Sequence, residues 1–356
     1  LSLEISRAIE AVEPPDPAWA DRALDRQSRL TMPAGALGRL LEIGRQLAAI
    51  QRVDRPTGHP SLVAVFAADH GVAEGGVSAY PQAVTGQMVA NYLAGGAAVN
   101  VLARRAGAEV RVVDLGVRFL PEGLKNHPDL IGRSVGPGTK NLLEGPAMTL
   151  EQAHRVVHVG LELADRWVVE EGFRVVALGE MGIGNTTTAS ILASALTRAL
   201  PSEVVGRGTG VDDPGFRRKL EAVERALSLH GDPSLSLWES LSRLGGFEIL
   251  GLAGLAIGTA RRRGLVVLDG FISSVAGLVA ARLCPHAVGS FVASHVGPEP
   301  GHRVVLQSLG LDPLLSLGLR LGEGTGAALA LPMIASAADI LRDMATFESA
   351  EVSGPV

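Results

Sequence analysis

Five apolar runs in this chain each stop at a polar residue, and that repeated stop constrains the fold more than any other feature. The run at 61–68, SLVAVFAA, ends at Asp69-His70, and the run at 109–114 ends on Asp114. The run at 173–178 ends at Gly179-Glu180, that at 265–268 at Asp269-Gly270, and that at 287–294 at His295. Short apolar runs rich in β-branched residues and bounded by turn residues read as buried strands. Between them lie helical patterns, among them 82–93, 97–106, 150–171, 189–200, 217–229, 245–262, 271–283 and 301–309. Alternating strands and helices predict an α/β fold, with a Rossmann-like, mainly parallel sheet and helices on both faces. Ligands of such sheets collect beyond the carboxyl ends of the strands, where the polar residues fall.

The two ends of the chain fit this repeat poorly. Residues 1–55 look helical, with Ile5, Ala8, Ile9 and Val12 at helical spacing and breaks at Pro14, Pro15 and Pro17. Further helical patterns run over 18–30 and 37–50, and a long one closes the chain at 327–344. We therefore expect a small helical domain made from residues 1–57 and 327–356, beside a large catalytic domain at 58–326. Residues 118–148, rich in Gly, Pro and Asn, read as loop.

Composition narrows the function. The net charge of −5 argues against nucleic acid as a main partner, which would call for a basic face. Cys284 is the one cysteine, so no disulfide framework forms within the chain, and a reducing, cytoplasmic setting is expected. No basic-then-apolar leader opens the sequence. The apolar stretches are interrupted before about 18 residues, so no membrane span is expected.

The densest chemistry lies at 173–190, FRVVALGEMGIGNTTTAS. A strand gives way to a glycine turn, Gly182-Ile183-Gly184, and then Asn185, Thr186 and Thr187 lead into an alanine-rich helix. Glycines let a backbone approach a ligand closely, Asn and Thr suit a helix N-cap, and the helix N-terminus suits a phosphate. The loop is not a Walker sequence, since no Gly-Lys-Ser/Thr ends it, and it lacks the third glycine of the dinucleotide fingerprint. Glu180 stands beside this turn, and Glu323 sits in a second one, Gly322-Glu323-Gly324-Thr325-Gly326. A glutamate in a tight apolar pocket has a raised pKa and can act as a general base; the alternative is simple charge pairing with a helix dipole.

Other constellations fail. Asp269 lacks the second adjacent acid that enzymes using phosphoribosyl pyrophosphate carry after an apolar strand, and a strand-end cap is its alternative role. His70, His295 and His302 lack metal-ligand spacing, and no Gly-x-Ser-x-Gly elbow supports a serine triad. Ser294-His295 with Glu299 and Gly301 reads instead as a polar loop at the rim of a site. Arg207, Arg217, Arg218 and Lys219 put positive charge near a further glycine-rich loop at 203–215, either as a solvated helix face or within reach of a substrate anion.

Taken together, the stretches AADHGVAEGGVSAYPQAVTGQMV, ALGEMGIGNTTTAS, GRGTGVDD, LGGFEILGLAGLAIG, LVVLDGFISSVAGLVA and LRLGEGTGAALALP resemble the nicotinate-nucleotide–dimethylbenzimidazole phosphoribosyltransferase family over about residues 33–348. The resemblance implies transfer of the 5-phosphoribosyl group from nicotinate mononucleotide to 5,6-dimethylbenzimidazole. The products would be α-ribazole 5′-phosphate and nicotinate, with anomeric inversion, in assembly of the lower nucleotide loop of cobalamin. It implies no metal or organic cofactor, and a homodimer in which the partner's small domain helps close each site. Glu323 matches the family's base, Glu180 a second carboxylate, and Lys219 a lysine that helps bind the nucleotide. The phosphate is expected on the turn formed by Gly182, Ile183, Gly184, Asn185, Thr186 and Thr187. The apolar acceptor is expected near Tyr80, Gln87, Met88 and Leu321; some members carry a serine and a glutamine in place of Tyr80 and Met88. A different acceptor, hydrolysis of the nucleotide, or a nucleotide-sensing role are the competing readings.

Overall fold

Every residue of the first strand is buried, and its side chains alternate between two separate cores. Leu62, Ala64, Phe66 and Ala68 belong to one core, and Val63, Val65 and Ala67 to the other. Period-two alternation puts successive side chains on opposite faces, so helices must cover both. A computed structural model describes residues 2–208 and 210–354 and shows that arrangement. Thr209, in the glycine-rich loop at 203–215, lies outside the described residues.

Three helices come first: α1 (Ser2–Glu10), α2 (Pro17–Ser28) and α3 (Arg39–Gln51). Then β1 (Ser61–Ala68), α4 (Ala83–Leu93), α5 (Ala98–Ala106), β2 (Glu109–Gly116) and β3 (Leu130–Gly132) follow. The middle of the chain holds α6 (Leu150–Ala164), β4 (Val175–Met181), α7 (Asn185–Thr197), the short α8 (Pro201–Val204), α9 (Asp213–His230), α10 (Leu237–Leu244) and α11 (Phe247–Arg261). The last third holds β5 (Leu265–Leu268), α12 (Phe271–Leu283), β6 (Phe291–Ala293), α13 (Pro300–Leu309) and α14 (Thr325–Asp343). The six strands form one sheet in the order β3-β2-β1-β4-β5-β6, and every pairing is parallel. The order reverses between β1 and β4, which marks a topological switch point at the carboxyl ends of those two strands.

Beyond the short α8 and a helix expected over 150–171 that turns π-helical at Asp165–Glu170, three elements differ from expectation. β3 lies inside the segment read as loop; it has three residues, none of them buried, too few to show a period. The strand expected over 287–294 is shorter: residues Pro285–Ser290 form a 3-10 turn and only Phe291–Ala293 pair with β5. Pro285 opens that turn and has no N–H to give a ladder. α10 is an additional helix, started by a capping box in which the Ser236 hydroxyl accepts from the Glu239 N–H.

One face of the sheet is covered by α6, α11 and α12, the other by α3, α5 and α14. α6 and α11 lie unusually close, because a Cβ at Gly254 would stand 2.1 Å from the Val157 carbonyl oxygen. Gly254 and Gly258 of LGGFEILGLAGLAIG therefore serve the packing of α11 on α6. α2 and α3 pack on the far half of α14 around Ala23, Ala48 and Leu341, and the Arg26 guanidinium donates to the Arg342 and Met344 carbonyls at 3.1 Å each. α1 instead lays Ile5 and Ala8 into the core beneath α6 and α11. Among the described residues, α14 is the one helix long and apolar enough to cross a membrane, and its apolar positions are largely buried in this fold.

Candidate active site

β4 carries the sheet's polar stop furthest. It continues past Leu178 through Glu180 to Met181, paired with Phe66 and Ala67 of β1. Glu180 is thereby buried at the switch point. The loop before α14 comes down onto it. A Cβ at Gly179 would lie 2.5 Å from the Glu323 carbonyl oxygen, and a Cβ at Gly322 would lie 2.5 Å from Glu180 Oε1. Glycine at both positions lets the two loops interlock. Gly322, Glu323 and Gly324 all have positive φ, 82°, 66° and 89°. A glutamate held in the left-handed region is a strained position of the kind that gathers at functional sites.

The carboxyl of Glu180 accepts from the Asn185 side-chain amide on one oxygen and from the Glu323 N–H, at 3.4 Å, on the other. Burial, then the charges of Glu248 and Asp269, push its pKa up from 4.5 to about 8. Burial also raises Glu323, with Asp269 adding to the shift and the Tyr92 hydroxyl opposing it. Tyr92 is itself buried, and burial followed by the charges of Glu323 and Glu180 lifts its ionisation well above 10. Asp269 holds the Glu323 loop from below: its carboxylate accepts from the N–H groups of Gly324 at 3.0 Å and Ala327 at 2.8 Å. It is a cap, as the strand-end alternative has it, but of α14 and not of its own strand. His295 Nε2 lies 3.8 Å from the same carboxylate.

A cavity of about 730 Å³, partly open to solvent, lies over these groups. β4, α7 and the turn between them contribute Glu180, Met181, Gly182, Ile183, Asn185 and Thr186 to its walls. The loop around Gly208, residues 270–272, His295, residues 297–299, His302 and residues 319–323 complete it. Lys219 comes up from α9, fully buried, and donates to Thr186 Oγ1 at 3.0 Å. Burial lowers its pKa from 10.5 to about 8, opposed by the charge of Glu299. Gly208, with φ 54°, fits under this pair: a Cβ there would lie 2.9 Å from Thr186 Oγ1 and 3.1 Å from Lys219 Nζ.

Glu180, Glu323, Gly182, Ile183, Asn185, Thr186 and Leu321 thus line one cavity, with Gly184 at the N-terminus of α7 and Lys219 directly behind Thr186. His295 and Glu299, from the polar loop expected at the rim, line it as well. Thr187, by contrast, is fully buried and does not line the cavity. The helix cap also differs from expectation. Gly184, φ 97°, occupies the N-cap with no side-chain bond, because the Asn185 amide is turned to Glu180. Tyr80, Gln87 and Met88 do not line the cavity. Tyr80 and Gln87 are exposed, and Met88 packs on the second core. Met181, Phe271, Ile272 and Arg320 do line it and were not singled out from the sequence. Met181 alone carried a legible signal, being the residue after Glu180 on an apolar strand.

A parallel sheet with its cavity at the switch point, paired glutamates on one wall and a buried lysine behind another is the architecture of an α/β enzyme whose site sets acid–base groups beside a cation. A family model described as Phosphoribosyltransferase matches residues 12–352. The chain is 47% identical over 352 residues to the nicotinate-nucleotide–dimethylbenzimidazole phosphoribosyltransferase of Chloroflexus aurantiacus, covering 99% of both chains. It is 48% identical over 346 residues to the enzyme of that name from Azotobacter vinelandii, covering 97% of both. The crystal structure of CobT from Thermus thermophilus superposes with a TM-score of 0.91 at 47% identity, over 95% of this chain and all of that one. The chain belongs to the nicotinate-nucleotide–dimethylbenzimidazole phosphoribosyltransferase family.

Proposed function

We propose that this protein transfers the 5-phosphoribosyl group of nicotinate mononucleotide to 5,6-dimethylbenzimidazole. The observation that carries the reading is the pair of buried glutamates that share one wall of the cavity. Burial raises both, Glu180 to about 8, and we assign the base to Glu323, the residue that matches the family's base and lines the cavity. One benzimidazole nitrogen attacks C1′ of the ribose. The bond from C1′ to the pyridine nitrogen breaks, and its electron pair neutralises the cationic ring, so nicotinate leaves readily. The proton on the other benzimidazole nitrogen passes to Glu323. Attack opposite the leaving ring inverts the anomeric carbon. Catalysis is then chiefly orientation plus proton removal.

The nucleotide phosphate is assigned to the end of the cavity where Gly182, Asn185, Thr186 and Gly208 converge in front of Lys219. The N–H groups of Ile183, Asn185, Thr187 and Thr188 are already bonded to Thr85, Gly182 and Gly184, so the side chains and Lys219 carry more of this role than a backbone cradle would. The acceptor is assigned to the wall formed by Met181, Leu319 and Leu321. The helical layer of α2, α3 and the end of α14 is our candidate for the small domain. We take the working form as a homodimer, because Leu317 and Leu321 beside the cavity are large apolar residues left exposed.

The test is chromatography of products after mixing the protein with nicotinate mononucleotide and dimethylbenzimidazole in the presence of a chelator. A new ribazole phosphate peak with equal nicotinate release supports the reading. Nicotinate alone would mean hydrolysis, and no turnover by folded protein would sink it.

A further inference from the structure

We propose that Asp69 and His70 are positioning residues that hold the 182–188 turn in its anion-binding shape through two buried hydrogen-bond chains. The proposal rests on the assignment of the nucleotide phosphate to that turn. Both residues stand at the end of β1, directly beneath the turn, and neither lines the cavity.

The first chain runs through His70, which has no exposed surface. Its Nε2 lies 2.8 Å from Glu248 Oε1, and its Nδ1 lies 2.9 Å from Thr188 Oγ1 in the first turn of α7. Both ring nitrogens therefore have a buried partner, and the ring joins the Glu248 carboxyl to the Thr188 hydroxyl. The second chain runs through Asp69. Thr85 Oγ1 donates to Asp69 Oδ1 at 2.7 Å and accepts from the Ile183 N–H at 3.1 Å. The other Asp69 oxygen accepts from the Arg118 N–H at 2.8 Å. Each chain thus begins in a buried carboxylate and ends on the turn, one at Ile183 and the other at Thr188.

Packing fits this role. A Cβ at Gly182 would lie 3.2 Å from the His70 ring, a Cβ at Gly184 would lie 3.2 Å from the His70 Cβ, and a Cβ at Gly246 would lie 2.5 Å from His70 Cε1. His70 therefore packs under both glycines of the turn, its ring together with the Ala68 carbonyl under Gly182 and its Cβ under Gly184, and the backbone at the start of α11 closes the ring from the other side. A buried core histidine needs partners for both nitrogens, but nothing in that need directs one of them to the helix that opens the anion site. The two chains meet the turn on both sides of Gly184, the residue whose left-handed backbone sets the direction of α7.

The experiment uses Thr188→Val and Thr85→Val, which keep side-chain shape and remove only the hydroxyls, with Thr188→Ser as the conservative rescue. Each protein is assayed with nicotinate mononucleotide and with nicotinate riboside, which lacks the phosphate, at saturating dimethylbenzimidazole, and then with dimethylbenzimidazole varied at saturating nucleotide. Wild type should prefer the nucleotide strongly. Both valine variants should lose about tenfold of that preference through the nucleotide KM, the loss expected when one buried hydrogen bond is removed. The KM for dimethylbenzimidazole should stay within about twofold, and Thr188→Ser should recover the preference. If wild type prefers the nucleotide and the valine variants prefer it equally, the positioning role is overturned while the phosphate assignment stands. If wild type shows no preference, the phosphate assignment falls, and this proposal with it.

Discussion

Glu323 is held at a backbone angle that few non-glycine residues adopt, with glycine on either side and its loop tied to Asp269. Replacing it by glutamine keeps the shape and removes the carboxylate that we assign as the base. We expect Glu323→Gln to lower kcat by about a hundredfold or more, with nucleotide binding retained in a calorimetric titration. A rate within a few-fold of wild type would remove Glu323 from the chemistry. Glu180 has a stability signature as well. Its folded pKa, about 8, lies above the ordinary 4.5. The folded state therefore binds the proton more tightly, an advantage fully present below the unfolded value and lost as pH rises through 8. Between those values the carboxyl should lower folding stability by about 1.4 kcal/mol per pH unit. Glu180→Gln should flatten that slope in denaturant titrations at pH 5 to 9. Lys219 gives the opposite linkage. With its pKa lowered to about 8, it is largely neutral at pH 9, and an arriving phosphate should return its proton. Calorimetry at pH 9 in buffers of different ionisation enthalpy should show proton uptake on nucleotide binding, and Lys219→Arg should abolish it. Both glutamates were legible in the sequence because a carboxylate among glycines is conspicuous. Phe271 and Ile272 were not, because an apolar residue that lines a cavity looks like one that fills a core; Met181 was marked only by its place after Glu180. Tyr80, Gln87 and Met88 came from resemblance alone, and in this chain they stand outside the cavity.

At the scale of elements, the long runs were readable and the short ones were not. β1 and β4 are buried on both faces and declare themselves as unbroken apolar stretches. β3 has three residues, and β6 shares its segment with a turn begun by proline. The start of α10 was written in the sequence, since Ser236 and Glu239 have capping-box spacing, but the helix is only eight residues long. Ser236→Ala should cost about 1 kcal/mol in chemical denaturation. The contact of α6 with α11 is far less tolerant. A Cβ at Gly254 would run into the Val157 backbone at 2.1 Å, and a Cβ at Gly160 into the Gly251 carbonyl oxygen at the same distance. Backbone cannot yield as a side chain tip can, so Gly254→Ala should destabilise the protein by about 1–3 kcal/mol or more. A melting temperature equal to wild type would show that the helices separate without cost.

The whole molecule places its chemistry where one sheet changes direction. Helices α3, α5 and α14 on one side and α6, α11 and α12 on the other leave the carboxyl ends of β1 and β4 as the place where loops converge. The sheet, its two coverings and the side on which the polar residues gather all followed from the alternation of strands and helices. The strand order did not, because pairing depends on contacts between residues far apart in sequence. If a second copy completes each site, specific activity should fall on dilution as sedimentation shows the dimer giving way to monomer. Constant specific activity through that transition would make the single chain self-sufficient.

The interlocking of Gly179 with Glu323, and of Gly322 with Glu180, also bears on how such an enzyme diverges. A side chain at Gly179 would strike the Glu323 backbone and one at Gly322 the Glu180 carboxylate, so a change at either glycine displaces the opposite glutamate. If the two glutamates handle the proton as proposed, variants selected for a new acceptor should keep both glycines and change instead at Met181, Phe271, Ile272, Leu319 or Leu321, which line the same cavity.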